Sequence, residues 1–317
     1  MIKLSIVTTL YRSAQTIDDF YRRASEVVTA LCGDEYELVF VNDGSPDNSI
    51  DLVVALSQQD SHVSVIDLSR NFGHHNAMLA GLDYAKGEYI YLIDSDLEEE
   101  PEWLFQFMAE LKKQSADVVY GVQALRKGKL FERWSGELYY WVLNWLAHVN
   151  HPRNITTARL MTRRYVRSLL LFEEREMVIS FLWIITGYKQ CEITVKKHML
   201  SSTTYSFYRK MSLLVNSITS CSNFPLQLIF YIGVFIFSGS FLYVLLLILR
   251  RIIYAQNSLD GWTSIIASIW VLGGLIISAI GVLGLYLSRI YSETKQRPRY
   301  IVRQIYESIR PEHEQQL

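Results

Sequence analysis

Cysteine is scarce in this sequence. There are three in 317 residues, Cys32, Cys191 and Cys221, odd in number and far apart. They form neither a zinc-type spacing nor a disulfide framework, which suits a reducing compartment. Net charge is almost absent too: 31 Lys and Arg stand against 32 Asp and Glu. Bulk electrostatics therefore single out no partner, and nothing points to nucleic acid. A third absence is local. Residues 228–249, LIFYIGVFIFSGSFLYVLLLIL, and 262–287, WTSIIASIWVLGGLIISAIGVLGLYL, carry no charge at all. Each is long enough to cross a hydrocarbon core of about 30 Å. The connection RRIIYAQNSLDG is short, so the two read as a transmembrane hairpin. Arg289, Lys295, Arg297, Arg299 and Arg303 beyond it outweigh Arg250 and Arg251 within it, which puts both termini in the cytoplasm. Glycines 273, 274, 281 and 284 favour tight helix packing and allow a homo-oligomer. The N-terminus, MIKLSIVTTLYRS, is too short and too alternating for a signal peptide and reads as a first strand.

What is present is an alternation of strands and helices over residues 1 to about 125. KLSIVTTLY, YELVFVNDG, VSVIDLS, EYIYLIDSD and DVVYGVQ read as strands. Between them lie helical patterns at 16–31, at SPDNSIDLVVALSQQ, with Ser45 as cap and Pro46 in its first turn, and at HHNAMLAGLDYA. Strand then helix, repeated, predicts an α/β fold, a parallel sheet with helices on both faces. Ligands of such sheets bind beyond the C-terminal strand ends. There the polar clusters fall: Thr8, Thr9 and Tyr11; Asn42, Asp43 and Gly44; Arg70 and Asn71; Asp94 and Asp96. Residues 126–225 are less regular. Two aromatic-rich stretches, WSGELYYWVLNWLAHV and YSFYRKMSLLVNSITSCSNFPLQ, read as interfacial helices. Three regions follow: a folded domain over 1–225, a membrane region over 226–290 and a basic cytoplasmic tail over 291–317.

The most informative stretch is YLIDSDLEEEPEWL, Tyr91 to Leu104. Crowded carboxylates repel one another unless something positive sits among them. Asp94 and Asp96, two apart at a strand's end, can both turn toward one hard divalent cation, Mg2+ or Mn2+, which keeps places for substrate phosphates. Glu98 is a third candidate ligand. Glu99, Glu100 and Glu102 read as the start of the next helix, where the dipole favours acids.

VTTLY, VFVNDGSPDNS, LSRNFGHHNAMLAGLDYAKGEYIYLIDSDLEEEPE and ARLMTRRYV, followed by two apolar runs and KQRPRYIV, resemble the family 2 inverting glycosyltransferases. Within these the chain is similar to the polyprenyl-phosphate group, the bactoprenol glucosyltransferases and dolichol-phosphate mannose synthase. The resemblance implies a GT-A catalytic domain in a bacterial inner membrane, a nucleoside-diphosphate sugar as donor, with UDP the default, and a polyprenyl phosphate as acceptor in envelope polysaccharide or lipopolysaccharide modification. It implies that Thr9, Tyr11 and Asp43 line the nucleoside site, with Asp94 reaching the nucleotide. Asp94, Asp96 and Glu98 would hold the metal, the first two as the catalytic pair, and Arg133 and Arg159 the acceptor phosphate. His74 and His75 read as capping or surface residues. Three departures from the family pattern stand out. Thr9, Arg12 and Ser13 stand where the first motif usually has Pro, Asn and Glu around the tyrosine, Thr157 where many relatives carry an acid, and Thr204 where many carry a lysine. With Thr157 there, no catalytic base is assigned. An ionised phosphate acceptor needs none. A lipid-linked oligosaccharide acceptor would need one, and an inactive membrane-anchored partner would need no turnover at all.

Overall fold

A computed structural model describes residues 2–123, 154–174, 179–197, 226–236, four isolated positions between 238 and 249, and 262–307. Among the described residues the chain forms two compact units. One holds the residues up to 197 together with those from 297 onward; the other holds 226–236 and 262–296.

The first unit is built on eight strands: β1 (Leu4–Leu10), β2 (Tyr36–Asn42), β3 (Val63–Leu68), β4 (Tyr89–Leu92), β5 (Val118–Gln123), β6 (Ile155–Thr162), β7 (Gln190–Val195) and β8 (Val302–Glu307). Their order across the sheet is β7-β5-β6-β4-β1-β2-β3-β8. The central run β4-β1-β2-β3 is parallel. These are the apolar runs of the sequence, and β1, β2 and β3 are buried along their whole length. Strands covered on both faces have no polar side to show.

Helices cover both faces. On one side, helix α1 (Ile17–Cys32), helix α2 (Ser49–Gln59) and helix α4 (Trp103–Gln114) bury Phe20, Val53, Leu104 and Phe107 against Leu4, Ile6 and Leu38. On the other, helix α3 (His74–Tyr84), helix α5 (Arg163–Leu170) and helix α6 (Ile179–Ile185) bury Met78, Tyr165 and Leu182 against Val7, Val39 and Val41. Alternate strand residues serve opposite cores, as the period of two requires. Gly81 lets α3 lie close on the sheet: a Cβ there would stand 2.4 Å from Cγ1 of Val7.

The structure differs from the sequence reading in four places. The sheet is mixed: β6 runs antiparallel between β4 and β5, in a region taken as irregular. The C-terminal region is no free tail over its described residues. After the long helix Trp262–Thr294, β8 pairs antiparallel with β3, from Ser64 opposite Glu307 to Leu68 opposite Val302. Ser69 donates to the Ile301 carbonyl (2.9 Å), Tyr300 to Asp83 (2.9 Å) and Arg299 to the Phe172 carbonyl (2.7 Å). Two of the basic residues counted for orientation, Arg299 and Arg303, are engaged by this unit, and Arg303 sits 3.3 Å from Asp67.

Helix α2 begins at Ser49, later than the Ser-Pro signal predicted. Asp47 explains the delay. Its carboxylate accepts from the Ser45 hydroxyl (2.5 Å), the Ser49 hydroxyl (2.6 Å) and the Ala14 N–H (3.2 Å). Ser45 is thereby held in a loop that ties β2 to the end of β1. Burial works against ionisation of Asp47, but these donors outweigh it and bring the carboxyl down to about 2. A depressed carboxyl stabilises the fold above its unfolded pKa of about 3.9 and loses that stabilisation as pH falls toward 2. Thermal midpoints measured from pH 5 down to 2.5 should therefore converge for the native chain and Asp47→Asn, with the native chain higher at pH 5.

In the second unit, one stretch among the described residues is long and apolar enough to cross a membrane, Leu272–Thr294 (mean hydropathy 1.7), and none of it is buried within the chain. It belongs to the helix Trp262–Thr294, which contains the run predicted at 262–287. A shorter apolar helix covers Leu226–Ile236. Nine residues of the run at 228–249, the stretch 134–149 and residues 205–225 lie outside the described residues.

Candidate active site

The C-terminal ends of β1, β2 and β4 and the N-terminus of α3 meet at one place. The Thr9 hydroxyl at the end of β1 lies 3.0 Å from His74 Nδ1. His74 Nε2 lies 3.3 Å from Asp94 Oδ1. His74 is exposed, as its sequence context predicted, and it also bridges two of the residues assigned to the site. Burial disfavours its charge, but the hydrogen bond and charge of Asp94 dominate and hold the imidazole above its ordinary value. The reciprocal effect, aided by the Thr157 side chain and Lys197, lowers Asp94 against the opposing cost of burial.

Beyond Asp94 the chain turns sharply. The Ser95 hydroxyl donates to the Thr9 carbonyl (3.0 Å) and fixes the loop to β1. Leu97 takes a left-handed backbone, φ 59°, a conformation uncommon outside glycine. That turn brings the Glu98 N–H to Asp96 Oδ1 at 3.0 Å. Asp96 is exposed. Burial of its surroundings and the nearby charges of Asp94 and Glu98 push its carboxyl up, despite the hydrogen bond from Glu98 N–H.

The acidic run thus divides by direction. Asp94 and Asp96 stand at the mouth. Glu98 and Glu99 turn inward to Lys197, whose ammonium lies 3.3 Å from Glu98 Oε2 and 3.4 Å from Glu99 Oε1. Glu99 was expected at a helix start; instead it is fully buried. It accepts the Thr157 N–H (3.0 Å) and the Ala158 N–H (2.7 Å), pinning β6 beneath the site. Burial and the charge of Asp94 push its carboxyl up to about 7. Glu102 does precede α4, and it pairs with Arg23 through two bonds of 2.8 and 2.6 Å.

Asp43 is buried at the end of β2. Its carboxylate accepts the Phe72 N–H (2.7 Å) and the Gly73 N–H (3.1 Å), so it sets the RNFG loop and the start of α3. Gly44 beside it has φ 60°, and a Cβ there would stand 2.5 Å from the Asn71 nitrogen and 2.7 Å from the Arg70 carbonyl carbon. Gly44→Ala should cost about 1–3 kcal/mol in backbone strain alone and spread the two loops; a thermal midpoint unchanged in that variant would refute this packing. Tyr11 is half exposed, and the Arg12 guanidinium lies 5.6 Å from its ring centre, on a left-handed backbone of φ 57°. Arg70 stacks on Phe72 and donates to the Asn71 carbonyl (2.9 Å).

Two expected phosphate ligands do not join this cluster. Arg133 lies outside the described residues. Arg159 is 1% exposed. It donates to the Thr157 carbonyl (3.2 Å) and the Thr156 carbonyl (3.4 Å) and lies against the Trp183 ring. Burial brings its guanidinium down to about 9. The match to the family's arginine in the RLM segment suggested a phosphate ligand; its place in the buried run Ala158–Met161 of β6 makes it a core residue.

Among the described residues no three or more His, Cys, Asp or Glu converge on a ready-made metal cage. A hard cation that keeps waters and takes substrate phosphates needs only one or two carboxylates from the protein. Asp94 and Asp96 fit that donor chemistry. Glu98 is engaged by Lys197 instead.

The model of glycosyl transferase family 2 matches residues 5–172. A relative in Mycobacterium tuberculosis is 45% identical, over 97% of this chain and 89% of its own length. A prophage bactoprenol glucosyl transferase homolog of Escherichia coli K12 is 33% identical, over 96% of this chain and 99% of its own. The bactoprenol glucosyl transferase of Shigella phage SfV is 33% identical, over 95% and 98%. The match covers β1 to α5 and with them the strand ends, the DSD loop and β6, so the chain belongs to glycosyl transferase family 2.

Proposed function

We propose that this glycosyltransferase moves a sugar, with inversion, from a nucleoside-diphosphate sugar to a polyprenyl phosphate at the cytoplasmic face of a bacterial inner membrane. The observation that carries the acceptor is the similarity to bactoprenol glucosyl transferases along nearly the whole of both chains. The site chemistry agrees with it. Thr157 offers no carboxylate base beside Asp94, and Glu99 is buried with its oxygens given to backbone amides. A hydroxyl acceptor needs such a base; a phosphate, already an anion near neutral pH, attacks without one.

The residues then divide the work. The Asp43-ordered loop and the exposed Tyr11 ring form the wall on which a nucleoside rests. Asp94 and Asp96 would hold a Mg2+ or Mn2+ ion beside the donor's diphosphate. Bound there, the ion supplies Lewis-acid stabilisation of the leaving diphosphate. His74 fixes Asp94 against Thr9, and Ser95 fixes the loop to β1, so the carboxylates need little reorganisation when the donor arrives.

Membrane anchorage rests on the charge-free helix and on β8. A segment that leaves the catalytic unit and returns to the same sheet must cross a bilayer an even number of times. One crossing by Trp262–Thr294 therefore calls for a second between residues 206 and 261, where the run 228–249 stands. Tethering beside the bilayer raises the effective concentration of a lipid acceptor.

The test uses membranes containing the overexpressed chain, undecaprenyl phosphate, Mn2+ or Mg2+, and a panel of labelled UDP- and GDP-sugars. A labelled, chloroform-extractable, mild-acid-labile product from one donor supports the reading. Nucleotide binding without lipid product from any donor overturns the acceptor assignment.

A further inference from the structure

Lys197 lies 98 positions beyond Glu99 along the chain, yet in space its ammonium sits against the acidic loop. It follows β7, which ends at Val195, at the head of the connection toward the second unit. Its side chain is 20% exposed, against 12% for Glu98 and 0% for Glu99. Burial alone lowers a lysine, yet Glu99, Asp94 and Asp96 outweigh that and hold its ammonium above the ordinary value. Among the described residues Lys197 is the lysine of this carboxyl cluster, beside the His74 imidazole that bridges to Asp94.

We infer that Lys197 is a tethered counter-ion which holds the acidic loop closed in the metal-free enzyme and is exchanged for a divalent cation when the donor's diphosphate arrives. The inference rests on the metal reading of Asp94 and Asp96. Its ground is positional: a monovalent charge already sits against Glu98 and Glu99, two and three residues beyond Asp96, and opposes a second cation at the same loop. Free Mn2+ must overcome that opposition alone. A diphosphate adds negative charge, which pays for both cations at once, so cation and nucleotide bind with strong mutual dependence. By linkage, each raises the affinity of the other by the same factor. The device lowers occupation by cation alone and keeps the DSD loop in place between turnovers.

The experiment measures Mn2+ affinity of the full-length enzyme in detergent by electron paramagnetic resonance, with and without UDP, together with the thermal midpoint without metal. Lys197→Met is compared with the native chain and with Lys197→Arg. Expected for Lys197→Met are roughly tenfold tighter Mn2+ binding in the absence of UDP, a smaller gain in affinity on adding UDP, and a lower metal-free midpoint. Lys197→Arg keeps the charge and should follow the native chain in all three; its agreement guards against a methionine variant that misfolds. A purely structural lysine would lower the midpoint without tightening Mn2+. Unchanged or weaker Mn2+ binding in Lys197→Met, with the native enzyme binding Mn2+ normally, overturns the exchange and leaves the metal reading standing. No Mn2+ binding by any of the three, with or without UDP, overturns both.

Discussion

Asp96→Asn is expected to lower sugar transfer by about 10²-fold or more, the range seen when a charge-stabilising group is removed from a preorganised site. The fold should be untouched. Asp96 is exposed, and its one hydrogen bond within the loop, from the Glu98 N–H at 3.0 Å, can be accepted equally well by an asparagine oxygen. Only the charge is lost. That charge is uncomfortable where it stands, since burial around it and the neighbouring Asp94 and Glu98 all push the carboxyl toward its neutral form. A divalent cation held there, as proposed above, would relieve that repulsion. The measurement is transfer of labelled sugar at saturating donor, alongside the thermal midpoint. Full activity with a native midpoint would remove Asp96 from the metal site.

Glu99→Ala is expected to do the opposite, harming the fold first. The substitution leaves the Thr157 and Ala158 amides buried without an acceptor and takes a partner from Lys197. Two such donors at about 1–3 kcal/mol each suggest a loss of about 3 kcal/mol, a fall of roughly 6–12 °C in a domain of this size. Glu99→Gln keeps an acceptor oxygen and should lose clearly less. Thermal midpoints in detergent for the three chains decide it. If alanine and glutamine behave alike, the amide contacts are not what Glu99 contributes.

The contrast between Asp96 and Glu99 shows where the sequence could be read and where it could not. Apolar runs ending in polar residues located β1 to β5, because a strand buried on both faces has one possible composition. The same logic placed Thr9, Asp43, Asp94 and Asp96 at strand ends. It could not divide the acidic run, since directions depend on a turn at Leu97 whose left-handed backbone no residue type announces. His74 was missed because helix starts usually use such residues as caps; only the crossing of α3 over β1 brings it to Asp94. Lys197 and Glu99 meet across 98 positions of chain, which no local pattern encodes. Arg159 was placed by its match to a family motif, which does not say that β6 buries it against Trp183. The stretch after the long helix was read as a basic tail, while β8 carries Arg303 on an outer strand that completes the sheet.

That outer strand sets an order of events during synthesis. The edge of β3, Ser64 to Leu68, has no partner until residues 302–307 leave the ribosome. At bacterial elongation rates the wait is on the order of ten seconds or more. Throughout it the nascent enzyme carries an open strand edge, the kind of surface that captures other chains. The apolar helix is made before the edge is closed, so the membrane anchorage proposed above would precede completion of the catalytic sheet. A message truncated between Thr294 and Val302 yields a chain that has the apolar helix but lacks the strand that closes the edge of β3.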